Sequence, residues 1–235
     1  MSPSNTLGFV VGLAIEAELL ALAFARNAPG AAPRVVCAAA SEDRAREGAR
    51  RLLSEGAGAL VSFGIAGGLD PSLKPGDLVL ADEVVSPGRD PIAADPALRD
   101  QWRRAAEAAG LPCVGGRLLG APRVLAGVAD KEAWHRSSGA LAVDMESYAV
   151  AGVAAGAGAP FVAVRAIADP AGRPLPRAVA ENMGPDGRPR LGHVVLGLGR
   201  RPWEVTVLLR LRRDTGAALA SLRRLAGGLG PAGLV

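Results

Sequence analysis

Six short apolar runs, most of them followed by a stretch of helical pattern, constrain this chain more than any other feature. The first, LGFVVGLA (7–14), leads into EAELLALAFAR, where Leu19, Leu22 and Ala23 recur at helical spacing. PRVVCAAA (33–40) precedes SEDRAREGARRLLSEG, a charged segment with Ser41 placed as an N-cap and Gly56 as its stop. GALVSFG (58–64) and GDLVLADEVV (76–85) follow, with a Gly/Pro-rich loop between them, and a helix is predicted near 96–109, ending at Gly110. LAVDM (141–145) and PFVAVRAIAD (160–169) bracket the small-residue helix SYAVAGVAAGAGA. Buried strands alternating with helices predict an α/β fold, a largely parallel sheet with helices on both faces.

At 235 residues the chain can build one full α/β core, and an apolar content of 49% excludes a disordered chain. No apolar run approaches the roughly 20 residues that span a bilayer. The N-terminus lacks a basic region, and Glu16 and Glu18 interrupt its apolar stretch, which argues against a signal peptide. Cys37 and Cys113 sit in no metal-type spacing and read as small core residues, so the expected location is the cytoplasm. Charge is uneven: residues 165–235 hold 12 arginines against 5 acids. Nucleic acid is not the expected partner, because aromatics make up only 3% of the chain and the only lysines are Lys74 and Lys131. Beyond Asp169, PAGRPLPRAVAENMGPDGRPRLG is dense in Pro, Gly and Arg and predicts loops. Further on, Leu208, Leu211, Ala218, Leu219, Leu222 and Leu225 share a helical face flanked by arginines, with Gly216 as a weak point. This predicts a C-terminal helix docked on the sheet. A peripheral contact with an anionic membrane face is the second reading of the same basic pattern.

Parallel α/β sheets bind ligands beyond the carboxyl ends of their strands. Glu16 and Glu18 follow the first run, Asp144 and Glu146 the LAV run, and Asp169 closes the FVAVRAIA run. Between them FGIAGGLDPSLKPGD carries glycines at 64, 67 and 68, where backbone can approach a ligand. That loop has neither the dinucleotide spacing nor a P-loop, and the chain has no G-x-S-x-G elbow. His135 and His193 have no partner at metal-ligand spacing and read as surface or satisfied side chains. Singly, these acids have plain explanations: glutamates at helix starts serve the macrodipole, and an Asp before Pro serves a turn. Together they describe an α/β enzyme with a carboxylate-lined site.

GLAIEAELLAL, VSFGIAGGLDPSLKPGDLVLADEVV and AVDMESYAVAGVAAGAGAPFVAVRAIAD, spread over residues 7–169, are similar in order and spacing to the purine nucleoside phosphorylase/nucleosidase superfamily. The resemblance is greatest to its 5′-methylthioadenosine/S-adenosylhomocysteine nucleosidase branch. It implies a single-domain three-layer α/β/α fold with a mostly parallel mixed sheet, residues 170–235 forming a basic extension, and release of adenine from a 5′-substituted adenosine. Residue by residue, it implies Glu18 as the base that activates water and Asp169 as the acid that protonates purine N7. Glu146 would hold the ribose hydroxyls, Met145 would pack on the sugar, and the backbone at Val124 and Leu125 would meet the adenine edge. Gly64, Ile65, Ala66 and Gly67 would form a nucleophile or phosphate loop, with Arg89 as a phosphate ligand. No cofactor or metal is implied, phosphate being a co-substrate only in a phosphorylase, and a homo-oligomer is expected. Three positions depart from the pattern: Asp144 stands where Glu is common, and Ile65 and Ala168 stand where hydroxyl side chains are common. The Arg- and Pro-rich tail is similar to that of the hopanoid-associated subgroup, which extends the substrate class to a lipid-linked nucleoside, adenosylhopane. Phosphorolysis is the alternative chemistry, and a non-catalytic nucleoside-binding or membrane-docking protein the alternative class.

These residue types suit the reaction. Breaking an N-glycosidic bond leaves a cationic ribosyl group and, unless it is protonated, an anionic purine. A positioned acid relieves the second problem for about 10²–10⁴-fold in rate. A base and an acid in opposite protonation states require two carboxyl groups in different environments.

Overall fold

The computed structural model describes residues 6–27, 33–175 and 204–229, with backbone alone at 204–208. Eight strands form one sheet: β1 (Leu7–Val11), β2 (Arg34–Cys37), β3 (Ala59–Gly68), β4 (Leu78–Ser86), β5 (Arg89–Ala93), β6 (Cys113–Gly120), β7 (Ala140–Asp144) and β8 (Phe161–Asp169). The helices are α1 (Ala14–Asn27), α2 (Glu42–Ser54), α3 (Pro96–Ala108), α4 (Val128–Ser138), α5 (Ser147–Ala157) and α6 (Glu204–Gly228). The expected α/β class with a mostly parallel mixed sheet is what forms. β1 pairs in parallel with β2 and β3, β3 with β8, β4 with β6, and β6 with β7. The antiparallel pairs are β3–β7, β4–β5 and β4–β8. Because β8 bridges β3 and β4, the strands β3, β8, β4, β6 and β7 close into a ring, a feature the apolar runs do not announce.

Side chains alternate along each strand and sort onto two faces. Phe9, Phe63, Val162 and Val164 pack with α1, α3 and α6, where Phe9 meets Phe24, Phe63 and Trp102 near edge-on. Val10, Leu60, Phe161 and Ala163 pack instead with α2 and α5, whose alanines let the helices lie close. The caps are as the residues dictate: the Ser41 side chain accepts the Arg44 amide, and Asp95, just before Pro96, accepts that of Leu98 at 2.8 Å. α6 passes through Gly216 without a break and buries Ala218, Leu222, Leu225 and Ala226 against α1 and β8. The Asn27 amide caps its end, donating to Gly227 O at 2.9 Å. The docked helix is thus observed over its described side chains; that of Leu208 lies outside them. Among the described residues no helix is long and apolar enough to cross a membrane.

One detail of register makes the site. On one edge of β3, pairing with β1 ends at Ser62, and pairing with β7 starts only at Gly67. Residues 63–66 therefore face a gap between two strands on that edge, while their other edge is held by β8.

Candidate active site

Glu16 fills the gap. It lies in the first turn of α1 and is almost fully buried, at 1% exposure. Its Oε2 accepts the amides of Gly12 (2.9 Å) and Leu13 (2.8 Å), and its Oε1 accepts the amide of Ile65 (2.8 Å). Only glycine can stand opposite: a Cβ on Gly64 would lie 2.5 Å from Glu16 Oε1. Glu146 enters from the other side, just before α5, and a Cβ on Gly12 would meet its Oε1 at 3.0 Å.

Between these acids runs Arg165, the one basic residue in the FVAVRAIAD strand and itself 1% exposed. Its Nε donates to Asp144 Oδ2 (2.6 Å), and its Nη2 donates to Ser62 Oγ (2.7 Å) and Ser147 Oγ (3.0 Å). Glu146 Oε2 lies 3.9 Å from the same Nη2. Ser147 also donates through its hydroxyl to Asp144, whose other oxygen accepts the Ser147 amide at 3.1 Å. Asp144 is thereby committed to Arg165 and to the start of α5. One guanidinium must serve three buried carboxylates, so the cluster favours taking up a proton. Burial pushes Glu146 up to about 8, helped by the charges of Asp144 and Glu16 and opposed by Arg165. Burial also raises Glu16 above the ordinary range, against the pull of its three amides and Arg165.

Asp169 stands further along β3, in register with Gly67, at the end of β8. A Cβ on Gly67 would lie 3.7 Å from its Oδ2. Strands rise about 3.3 Å per residue, so the anchor points of Glu16 and Asp169, Ile65 and Gly67, lie roughly 7 Å apart along β3. Asp169 accepts Lys131 Nζ at 2.7 Å. Burial raises its carboxyl above the usual range, with Lys131 and Arg173 pulling down and Asp214 pushing up.

Three expectations are corrected. Glu18 does not join the cluster: it is exposed on α1, and Glu16 occupies the buried place. The helix face was rotated, because Leu22 is 57% exposed and the buried stripe is Leu19, Leu20, Ala23 and Phe24. Glu16 leads that stripe at i+3, i+4, i+7 and i+8, whereas Glu18 stacks below Leu22. Second, Gly64, Ile65, Ala66 and Gly67 are not a loop but the carboxyl half of β3, and the Ile65 amide already holds Glu16. Third, Arg89 lies outside the acid cluster on exposed surface, donating to Glu42 at 2.7 Å and stacked 5.2 Å from the Tyr148 ring centre. Met145 is half-buried beside Glu146; Val124 and Leu125 lie in the β6–α4 loop, Leu125 packing near Val143. That loop is tied to the residues after Asp169 by Leu175 N donating to Ala126 O at 2.9 Å. His135 is satisfied by Ala140 O at 2.8 Å, and His193 lies outside the described residues. Arg165 and Lys131 were missed as site residues. A lone arginine in a strand apolar up to its terminal Asp169 is a legible signal, since a buried charge must be paired. A shallow hollow of about 260 Å³ lies at the other end of β8, around Asp95, Pro160 and Phe161, and contains none of these acids.

The family model described as the phosphorylase superfamily matches residues 34–198. A 5′-methylthioadenosine/S-adenosylhomocysteine nucleosidase of Mycobacterium bovis is 31% identical over 182 residues, 60% of this chain and 71% of that one. Among solved structures, the nucleosidase of the same name from Neisseria meningitidis, in complex with methylthio-immucillin-A, superposes with a TM-score of 0.70 at 19% identity, covering 95% of this chain and 97% of that one. A futalosine hydrolase mutant of Helicobacter pylori gives 0.62 at 19% identity, over 69% of this chain and 88% of that one. At these identities the structural likenesses speak for the fold.

Proposed function

This chain belongs to the phosphorylase superfamily and is an enzyme that cleaves N-glycosidic bonds; on that premise we propose that it hydrolyses a purine riboside, releasing adenine from a 5′-substituted adenosine with water as the nucleophile. The observation that carries the reading is the buried Glu16, held by three backbone amides beside Glu146 and across β3 from Asp169. As the bond from purine N9 to C1′ breaks, its electron pair goes to the purine and Asp169 delivers a proton to N7. Water attacks C1′ and gives its proton to Glu16. Glu146 hydrogen-bonds the ribose hydroxyls, and the net negative charge of the carboxylate cluster lies beside the developing cation. Water is favoured over phosphate because the sugar end holds three carboxylates and one arginine, and that arginine is already engaged by Asp144, Ser62 and Ser147. The 31% identical relative, by its name, acts on 5′-methylthioadenosine and S-adenosylhomocysteine, which makes these the first substrates to test.

Adenine release from both compounds, measured with and without phosphate, tests the reading. Phosphate-independent release with a free ribosyl product is expected. Release only with phosphate, giving a 1-phosphate, would make the enzyme a phosphorylase. A lipid-linked 5′ group such as that of adenosylhopane is the finer form of the proposal, motivated by the arginine-rich sequence after Asp169. It predicts faster release from long 5′-alkyl adenosines than from methylthioadenosine.

A further inference from the structure

Lys131 is one of two lysines in the chain, and it is fully buried, at 0% exposure, on α4. An ammonium has three protons to donate, and each has an acceptor: Asp169 Oδ2 at 2.7 Å, Arg173 O at 2.9 Å and Pro170 O at 3.1 Å. The lysine therefore grips both the carboxylate and the turn that follows it. The preceding residue, Ala168, has no polar side chain with which to orient Asp169. The same turn is held from a second side, where Arg173 pairs with Asp214 of α6. We propose that Lys131 is a positioning residue for Asp169, fixing Oδ2 so that Oδ1 is presented to the purine and supplying the positive charge that balances the carboxylate once its proton has left. A buried ammonium needs its protons accepted whatever its role; the contact with the acid itself gives this grip a chemical purpose.

The inference rests on Asp169 being the acid, and the test separates the two. Among the described residues, the charged groups facing Asp169 are Lys131 from α4, Arg173 from its own turn and Asp214 from α6. Loss of the lysine charge leaves the protonated acid favoured to higher pH, by about one to three pH units. Activity that needs the protonated form falls as pH rises through this value, so the alkaline limb of kcat/KM for 5′-methylthioadenosine should move up by that amount in Lys131→Met. At neutral pH kcat should fall by about tenfold or more while KM changes less, as for a misplaced general acid. Lys131→Gln, which keeps a donor but no charge, should recover kcat in part and still show the shifted limb. Adenine affinity, measured by calorimetry between pH 5 and 10, gives the same readout without turnover, with its alkaline fall moving up in both variants. Asp169→Asn runs alongside and should be inactive. An unmoved limb and an unmoved adenine profile in both lysine variants, with Asp169→Asn inactive, would overturn the role of Lys131 alone. An active Asp169→Asn would overturn the acid assignment, and this inference with it.

Discussion

The two ends of the site solve opposite electrostatic problems with different materials. At the Glu16 end, three carboxylates surround one arginine, all are nearly dry, and the geometry is fixed by backbone amides and by glycines at 12 and 64. At the Asp169 end, one carboxylate meets Lys131 with Arg173 nearby, and the ties run from side chains to turn carbonyls. The first end is negative and holds a proton; at the second, Lys131 and Arg173 balance Asp169 and Asp214, so that end is positive while Asp169 carries its proton. In the proposed reaction a cationic sugar forms at the first and an electron-rich purine leaves from the second. Charge of the required sign is thus in place before bond breaking, where a low-dielectric wall makes it most effective. The contrast teaches that burial alone does not define such a site. The ratio of acids to cations at each end does.

The largest expected effect breaks the contrast at its centre. Arg165→Met leaves Asp144, Glu146 and Glu16 buried with no countercharge, and loss of one partner from a buried ion pair costs about 3–5 kcal/mol. Denaturant unfolding should show a loss of that size, and a smaller one in Lys131→Met, where a single carboxylate at 14% exposure keeps Arg173 beside it. Equal losses would mean that the two ends are not built differently.

A gentler change sharpens the comparison. Glu146 is raised to about 8 in the folded chain, above its unfolded value of about 4.3. Its neutral form is therefore favoured by folding, and that stability is full below about pH 4.3 and lost as pH climbs through 8. Glu146→Gln removes the dependence, so its melting temperature should gain on the parent from pH 5 to pH 9. A melting difference flat in pH would show that Glu146 is not the group carrying the cluster's proton.

Sequence pattern reaches some of this and not the rest, for reasons visible in particular residues. β1, β3, β7, β8 and the first half of β4 are apolar runs because they are largely buried on both faces, and they are legible as such. β5, RDPIA, is largely exposed, and β6, CVGGRLLG, is interrupted by two glycines and an arginine; both depend on pairing with β4, which no local pattern encodes. Asp169 and Glu146 could be placed because each ends or follows such a run. Glu16 and Glu18 lie two positions apart at a helix start, and the choice between them turns on helical phase. The family pattern aligned on AIEAE points to Glu18, whereas the adjacent pairs Leu19–Leu20 and Ala23–Phe24 mark the stripe that Glu16 heads. Lys131 had no local signal: its partners lie 38 to 42 residues away and meet it only in the fold.

The most direct test of the central assignment compares Glu16→Gln with Glu18→Gln, measuring adenine release from the 5′-substituted adenosine that the parent enzyme turns over. A positioned general base is worth about 10²–10⁴-fold, so Glu16→Gln should lose on that order while still binding nucleoside, and Glu18→Gln should stay within about twofold of the parent, as expected for an exposed position outside the cluster. Full activity in Glu16→Gln, or a comparable loss in Glu18→Gln, would contradict the account.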